Sequence, residues 1–521
     1  MLWMFPFFLL AILVGLPIFF ALLVAPGIFL VITDAGSATT LWRNVYNGIG
    51  DSFILIAIPF FLLAGEIMNR GGITLRIVDF AQALVGHVRG GLAHVNVTSS
   101  IFFAGMSGSA VADTSALGTM LIPEMERNGY SRKFAAAITG ASSVIGPIIP
   151  PSGILVIYAY VIEGVSIRDL FLAGIAPGIL IGLSLMAVTA IFADKFKLPP
   201  AKRVEFEHRT LPIHEDILAR ILARIDMAIL LYMFASGYFF VAGLGQEDAT
   251  QINDIFAPLL AAVAGADGEA PIAIAALIYA LPFFAVGELL FMFFRRRMSE
   301  ERRIIFKRAV LPLQTPLVIL SGILFGVVTP TEAAALAVAY ALFISLFVLR
   351  SMKMSDLPGV FSRAALSSAI VLLLVGAAVA FKTAVAIAQA PDIAAEFVLG
   401  LSQNPLILLF LINILLFVVG MFLDVAPAIF ILGPILAPIF IGFGVDPVHF
   451  AIIMCVNLTV GLATPPMGLV LFMAAAVSGE RVETISKAIL PFLAVEFIAI
   501  LVITFVPAIS LFIPNLINQV L

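Results

Sequence analysis

The chain has 521 residues, 62% of them hydrophobic and only 12% charged, with a net charge of −4 and a mean hydropathy of +1.16. Soluble chains carry about a quarter charged residues, so a soluble globule is excluded and a polytopic membrane protein is indicated. The single cysteine, Cys455, lies in an apolar segment, which excludes a disulfide framework and a cysteine-built metal site.

Residues 2–32 are apolar and contain no Lys or Arg, which predicts a retained first span rather than a cleaved signal. A further apolar run, 52–65, ends at Glu66. Lys and Arg gather in a few loops, among them Arg127–Lys133, Lys195–Arg224, Arg295–Arg308 and Arg350–Arg363. The positive-inside rule puts these in the cytoplasm. Residues 92–123 start after Arg89 and end before Arg127, so they must enter and return on one side, as a hairpin with its tip at Ser107-Gly108-Ser109. Residues 134–163, interrupted by Pro150-Pro151, then cross outward, and 171–194 return to Lys195.

An insert follows over 200–308. Its segment 209–225 sets Ile217, Leu218, Ile221, Leu222 and Ile225 opposite Arg220 and Arg224, the pattern of a helix lying on the cytoplasmic surface. Residues 227–244 and 271–294 read as two further spans around an acidic, periplasmic loop that carries Glu247, Asp248, Asp254, Asp267 and Glu269. Apolar runs 311–328 and 333–349 flank a break at Thr329-Pro330-Thr331-Glu332, and 364–390, with Lys382 inside it, lead outward to Asp392 and Glu396. Residues 405–443 must then leave from and return to the outer side, with a tip at Leu423-Asp424-Val425. Residues 449–478, broken at Pro465-Pro466, cross inward to Arg481, and 488–513 form the last span.

The two breaks share one motif: GPIIPPSG at Gly146–Gly153 and GLATPPMG at Gly461–Gly468, 315 positions apart. The offset holds upstream without a gap, where Gly105 and Met106 match Gly420 and Met421, Leu117 and Gly118 match Leu432 and Gly433, and Gly129 matches Gly444. A Pro-Pro pair cannot continue a helix, because both donors are missing and the rings clash with the preceding turn. In a membrane, freed carbonyls persist only where they face protein or a water-lined cavity. Charge placement turns the second copy upside down relative to the first. The predicted fold is therefore an all-α inverted-topology repeat, 1–199 and 309–521, with two opposed re-entrant hairpins and two Pro-Pro-broken helices. In transporters such breaks mark the binding site.

Ser107, Gly108 and Ser109 offer hydroxyls and approachable backbone; packing of small residues is the plainer alternative. Asp424 is the one carboxylate between Leu406 and Gly444, aligned with Ser109. A charge at that depth costs at least about 2.5 kcal/mol, so it marks function by default. Asn457, Thr459 and Thr464 precede the second Pro-Pro, while Ser142, Ser143 and Ser152 surround the first. Neutral oxygens with unwound carbonyls suit a hard monovalent cation such as Na⁺, and helix N-termini after each break favour a substrate carboxylate. Glu332 is a candidate ligand or simply a first-turn cap, and Lys382 either binds an anion or reaches an interface. His87, His94, His208, His214 and His449 show no metal-ligand spacing. No nucleophile–base set, phosphate loop or nucleic-acid signature is visible, so an enzyme is not expected.

AGMSGSAVADTSALGTMLIPEM (104–125), GPIIPPSGILVIYA (146–159), VVTPTEAAALAVAYAL (327–342), MFLDVAPAIFILGPILAPI (421–439) and NLTVGLATPPMGLVLF (457–472) resemble the large membrane subunit, the DctM-like permease, of TRAP (tripartite ATP-independent periplasmic) transporters. The resemblance covers roughly residues 5–195 and 310–515. It implies a bacterial inner-membrane secondary transporter that uses a sodium gradient to import an organic acid. It further implies delivery by a periplasmic binding protein, a small four-helix membrane subunit as partner, and a transport domain that moves as an elevator. By motif, Ser107, Gly108, Ser109 and Pro150 would form one sodium site and Asp424 with Asn457, Thr464 and Pro465 a second. Ser152, Thr329, Thr331 and Glu332 are candidates for the substrate. The insert is longer than the link of typical members. A stand-alone sodium-coupled dicarboxylate symporter or ion antiporter of similar architecture is the competing expectation.

Overall fold

A computed structural model describes residues 4–33, 38–50, 53–162, 164–200, 211–225, most of 286–324, and 328–520. The two predicted spans at 227–244 and 271–294 lie outside the described residues, apart from part of the second. Among the described residues the chain is helical throughout, and seven helices are long and apolar enough to cross a membrane.

Before the first repeat come α1 (Met4–Leu13), α2 (Ile18–Ile32), α3 (Ala38–Gly50), α4 (Ala57–Arg70) and α5 (Ile73–Val85). The expected single span over 2–32 is thus two helices. Gly15 takes φ +90° and Pro17 caps α2, because a proline there cannot accept continuation of the preceding helix. The first repeat follows as α6 (Gly91–Ser107), α7 (Ala110–Arg127), α8 (Arg132–Ser143), α9 (Gly153–Val161) and α10 (Ile167–Ile191). After the helix 213–225 (α11) come α12 (Glu300–Leu324), α13 (Pro330–Phe343), α14 (Leu357–Ile387) and α15 (Ala390–Leu401). The second repeat is α16 (Pro405–Gly420), α17 (Val425–Gly442), α18 (Pro447–Gly461), α19 (Leu469–Ser478) and α20 (Val482–Phe505), closed by α21 (Ala508–Val520). Pro507 separates α20 from α21, where one span was expected.

The repeat is visible in the element boundaries. Adding 315 to α7 gives the bounds of α17, and the same shift carries α6, α8, α9 and α10 onto α16, α18, α19 and α20 within three residues at each end. Both X-Pro bonds at the breaks, Pro150-Pro151 and Pro465-Pro466, are cis. The halves interlock reciprocally: α19 packs on α7 while α9 packs on α17. A Cβ on Gly118 would stand 3.3 Å from Val477 Cγ1, and one on the matching Gly433 would stand 3.3 Å from Ile162 Cδ1, Val477's own match. Such paired contacts are what a two-fold relation between the halves produces.

Two groups of helices result. In one, α14 lies along α2, α3 and α4, and α12 and α13 pack on each other and on α5 and α4. Arg363 Nε to Glu66 Oε2 (3.1 Å) and Arg70 Nη2 to Asp356 Oδ1 (3.5 Å) tie α4 to the start of α14. In the other, α20 packs on α8, α10 and α18, with the rings of Phe134, Phe196 and Phe492 clustered at centroid distances of 5.2–5.8 Å. Polar contacts join the groups at the C-terminal end of α9: Lys382 Nζ donates to Val161 O (3.1 Å) and Tyr160 Oη to Gly48 O (2.8 Å). Lys382 therefore supplies positive charge to a helix C-terminus, where the backbone dipole favours it.

α11 covers residues 213–225 of the segment 209–225. Leu218 and Leu222 pack against Leu311, Ile344 and Val348, and Glu215 pairs with Arg76. Asp216 binds Lys307 Nζ at 2.5 Å. That bond, with help from Arg220, holds the Asp216 carboxyl below the usual carboxylate range. Ile213, Ile217, Ile221 and Ile225, spaced four apart on one stripe, stay 37–79% exposed.

Candidate functional site

Each hairpin tip meets the Pro-Pro break of its own repeat. At the first, α6 ends at Ser107, whose side chain lies outside the described residues. Gly108 then takes φ +60°, a conformation that favours glycine, and Ser109 caps α7 by accepting from Ala112 N at 3.4 Å. A Cβ on Gly108 would stand 3.2 Å from Pro151 O, and one on Gly105 would stand 3.6 Å from Pro150 O and 2.7 Å from Pro316 Cβ. Glycine at both positions lets the tip press against carbonyls that the prolines have freed. Ser152 caps α9 and donates to Pro147 O at 2.5 Å, so it satisfies one freed carbonyl while the others keep their lone pairs.

Behind the tip lies a buried hydroxyl network. Ser142 Oγ donates to Asn96 Oδ1 (3.1 Å) and accepts from Ser100 Oγ (2.9 Å), Asn96 Nδ2 donates to Thr139 Oγ1 (2.6 Å), and Thr114 Oγ1 donates to Ser143 Oγ (2.6 Å). Asp113, one turn past the α7 cap, is fully buried, and a Cβ on Gly146 would overlap its carboxylate. Asp113 is the functional candidate that sequence reading missed. Its signal was a carboxylate within the small-residue run ADTSALG.

The second site reuses the backbone with other side chains. Gly420 and Gly461 touch, since a Cβ on Gly461 would lie 2.5 Å from Gly420 Cα. Asp424 caps α17, its Oδ1 accepting from Val425 N at 2.7 Å, and remains exposed. Thr464 Oγ1 donates to Val460 O (3.0 Å). Asn457 matches Ser142 in register and likewise reaches its hairpin, donating to Asn413 Oδ1 (2.6 Å), which also accepts from Thr504 Oγ1 (3.0 Å). Asn413 thus joins α16, α18 and α20. Pro466 and Met467 are exposed, whereas every residue from Ser142 to Ser152 is buried.

Glu332 closes a capping box: Thr329 N donates to Glu332 Oε2 (2.8 Å) and Glu332 N to Thr329 Oγ1 (3.3 Å). These bonds stay within the turn, with Thr331 alongside at 3.1 Å from Thr329 Oγ1. His449 bonds Ser510 Oγ (2.6 Å) and Thr504 O (3.1 Å), fastening α18 to α20 and α21.

The family model for the tripartite ATP-independent periplasmic transporter, DctM component, matches residues 5–509. The sialic acid TRAP transporter large permease protein SiaM of Vibrio cholerae is 32% identical over 96% of this chain and 95% of its own. The C4-dicarboxylate TRAP transporter large permease protein DctM of Pseudomonas aeruginosa is 32% identical over 89% and 87%. The crystal structure of the Alcanivorax borkumensis YdaH transporter shares 17% identity, covers 92% of this chain and 88% of that one, and superimposes with a TM-score of 0.51, a likeness of fold alone. These relatives are transport proteins of the membrane, not enzymes, and the chain belongs to the DctM component family of the tripartite ATP-independent periplasmic transporters.

Proposed function

We propose that the chain is the large permease of a sodium-coupled symporter importing an organic acid across the bacterial inner membrane. The observation that carries this reading is a pair of oxygen-lined breaks, each closed by a hairpin tip. Hard monovalent cations need oxygen donors and little ligand charge, and the donor sets fit. The first comprises Ser107, Gly108, Ser109 and the carbonyls around Pro150, with Asp113 supplying charge. The second comprises Asp424, Asn457, Thr464 and Pro465. Sialic acid and C4-dicarboxylates, named for the two relatives, both carry carboxylates. The N-termini of α9 and α19, just past the breaks, suit such a group, with Ser152, Thr329, Thr331 and Glu332 as candidate contacts.

The opposite placement of basic loops around two halves related by a two-fold supports hairpins that re-enter from opposite faces. The helices of the two repeats would move as an elevator against α2–α4 and α12–α14, with Lys382–Val161 and Tyr160–Gly48 among the contacts that must break. A periplasmic binding protein would deliver the acid, and a separate small four-helix subunit would complete the complex. Proteoliposome uptake, with and without the binding protein and with sodium replaced by potassium, tests this. Uptake should need both the binding protein and an inward sodium gradient; uptake indifferent to sodium sinks the reading.

A further inference from the structure

Glu496 sits in the middle of α20, eight residues before Thr504 and so about 12 Å along the helix from it. It is fully buried, and neither carboxyl oxygen has a hydrogen-bond partner among the described residues. Its neighbours on that face are Ile489, Phe492, Leu493, Ala499, Ile500 and Ile503, all buried. α20 packs against α8, α10, α16, α18 and α19. α16 and α19 carry no titratable group. On α8, Arg132 and Lys133 are exposed in the first turn; on α10, Arg168 and Asp169 are likewise in the first turn. On α18, His449 is engaged by Thr504 and Ser510, and Cys455 is buried. On α20 itself, Glu483 and Lys487 lie two to four turns away. Among the described residues no hydrogen bond or ion pair reaches this carboxyl, and an unpaired ion does not survive such burial.

We propose that Glu496 is a proton-binding site, occupied in this conformation, which makes the packing of the transport core sensitive to pH. α20 touches three of the four half-helices that flank the breaks, α8, α18 and α19. A negative charge at Glu496 would need water or a cation beside it, and either must part these helices. The proton enters from water as the core closes and binds a carboxylate oxygen. It leaves to water when the core opens, with no other group consumed.

Infrared difference spectroscopy on the protein in liposomes at neutral pH, wild type minus E496Q, reads the site without relying on transport. The difference should show the carbonyl stretch of a protonated carboxylic acid; carboxylate bands instead overturn the proposal. Glutamine mimics the protonated acid, so E496Q should retain uptake within about twofold at neutral pH. Wild-type uptake should fall about tenfold per pH unit beyond its alkaline midpoint, and E496Q should lose that fall. An E496Q protein that is inactive at every pH, or that keeps the wild-type alkaline fall, contradicts the inference. Loss of sodium dependence alone would touch only the sodium reading.

Discussion

The two breaks share a backbone and differ in nearly everything attached to it. The first is sealed: Gly174 and Gly178 bring α10 onto Ile148 and Ile149 so closely that a Cβ at either would overlap them. The matching positions on α20 are Ile489 and Leu493, too bulky for that approach, and the second break stays open at Pro466 and Met467. The carboxylates differ as well. Asp424 occupies the cap position of α17, whose match is Ser109, whereas the acid of the first repeat, Asp113, lies one turn further along α7 and is buried against Gly146. The two halves thus share where the chain breaks, while their side chains leave one break closed and the other open. A buried acid at the first and an open acid at the second should respond differently to change.

The largest contrast is expected at the open acid. Asp424→Ala should abolish uptake while leaving membrane insertion intact, whereas Ser109→Ala, which removes a neutral hydroxyl that caps α7 at 3.4 Å and leaves the backbone carbonyls of the break in place, should lower uptake without abolishing it; proteoliposome rates for the two variants check this. Overpacking comes next. Gly461→Ala drives a methyl into Gly420 and should cost about 1–3 kcal/mol of stability, and Gly146→Ala, which displaces Asp113, should cost as much. Gly153→Ala, with nothing within 4 Å of the added carbon, should leave the thermal midpoint in detergent unchanged. The polar networks differ less. Asn413→Leu removes the shared acceptor of Asn457 and Thr504, which keep Ile453 O and Ile500 O, and Ser142→Ala takes the hydroxyl donor from Asn96 Oδ1; each should cost about 1–3 kcal/mol, read as a fall in the thermal midpoint in detergent. The smallest effect lies on the surface. The Asp216 carboxyl is held low by Lys307, so its contribution is present above the ordinary carboxylate range and is lost as pH falls through its lowered value. Protease nicking of α11 should rise under acid conditions, and Asp216→Asn should show that nicking already at neutral pH.

Much of the fold was legible because proline and glycine act locally. A Pro-Pro pair ends a helix whatever surrounds it, so both breaks could be placed from residue types alone, as could the turn at Thr329-Pro330. Residues 2–32 read as one span because the run is apolar throughout, whereas Gly15 and Pro17 divide it into two helices. Partners distant in sequence were hidden. Nothing local ties Lys382 to Val161 or Asn457 to Asn413, and the crossing of α9 onto α17 follows from the two-fold rather than from either segment. Asp113 was overlooked because small residues around it read as helix packing, and only the close approach of Gly146 sets it beside the break.

The inverted relation between the halves can be tested by sidedness. Ser131 and Asp446 are matched, exposed caps of α8 and α18, and the native Cys455 is buried. Single cysteines at these two positions, probed in intact cells and in inside-out vesicles with an impermeant thiol reagent, should label from opposite compartments: Ser131→Cys from the cytoplasm, Asp446→Cys from the periplasm. Labelling of both from the same side would contradict the inverted repeat.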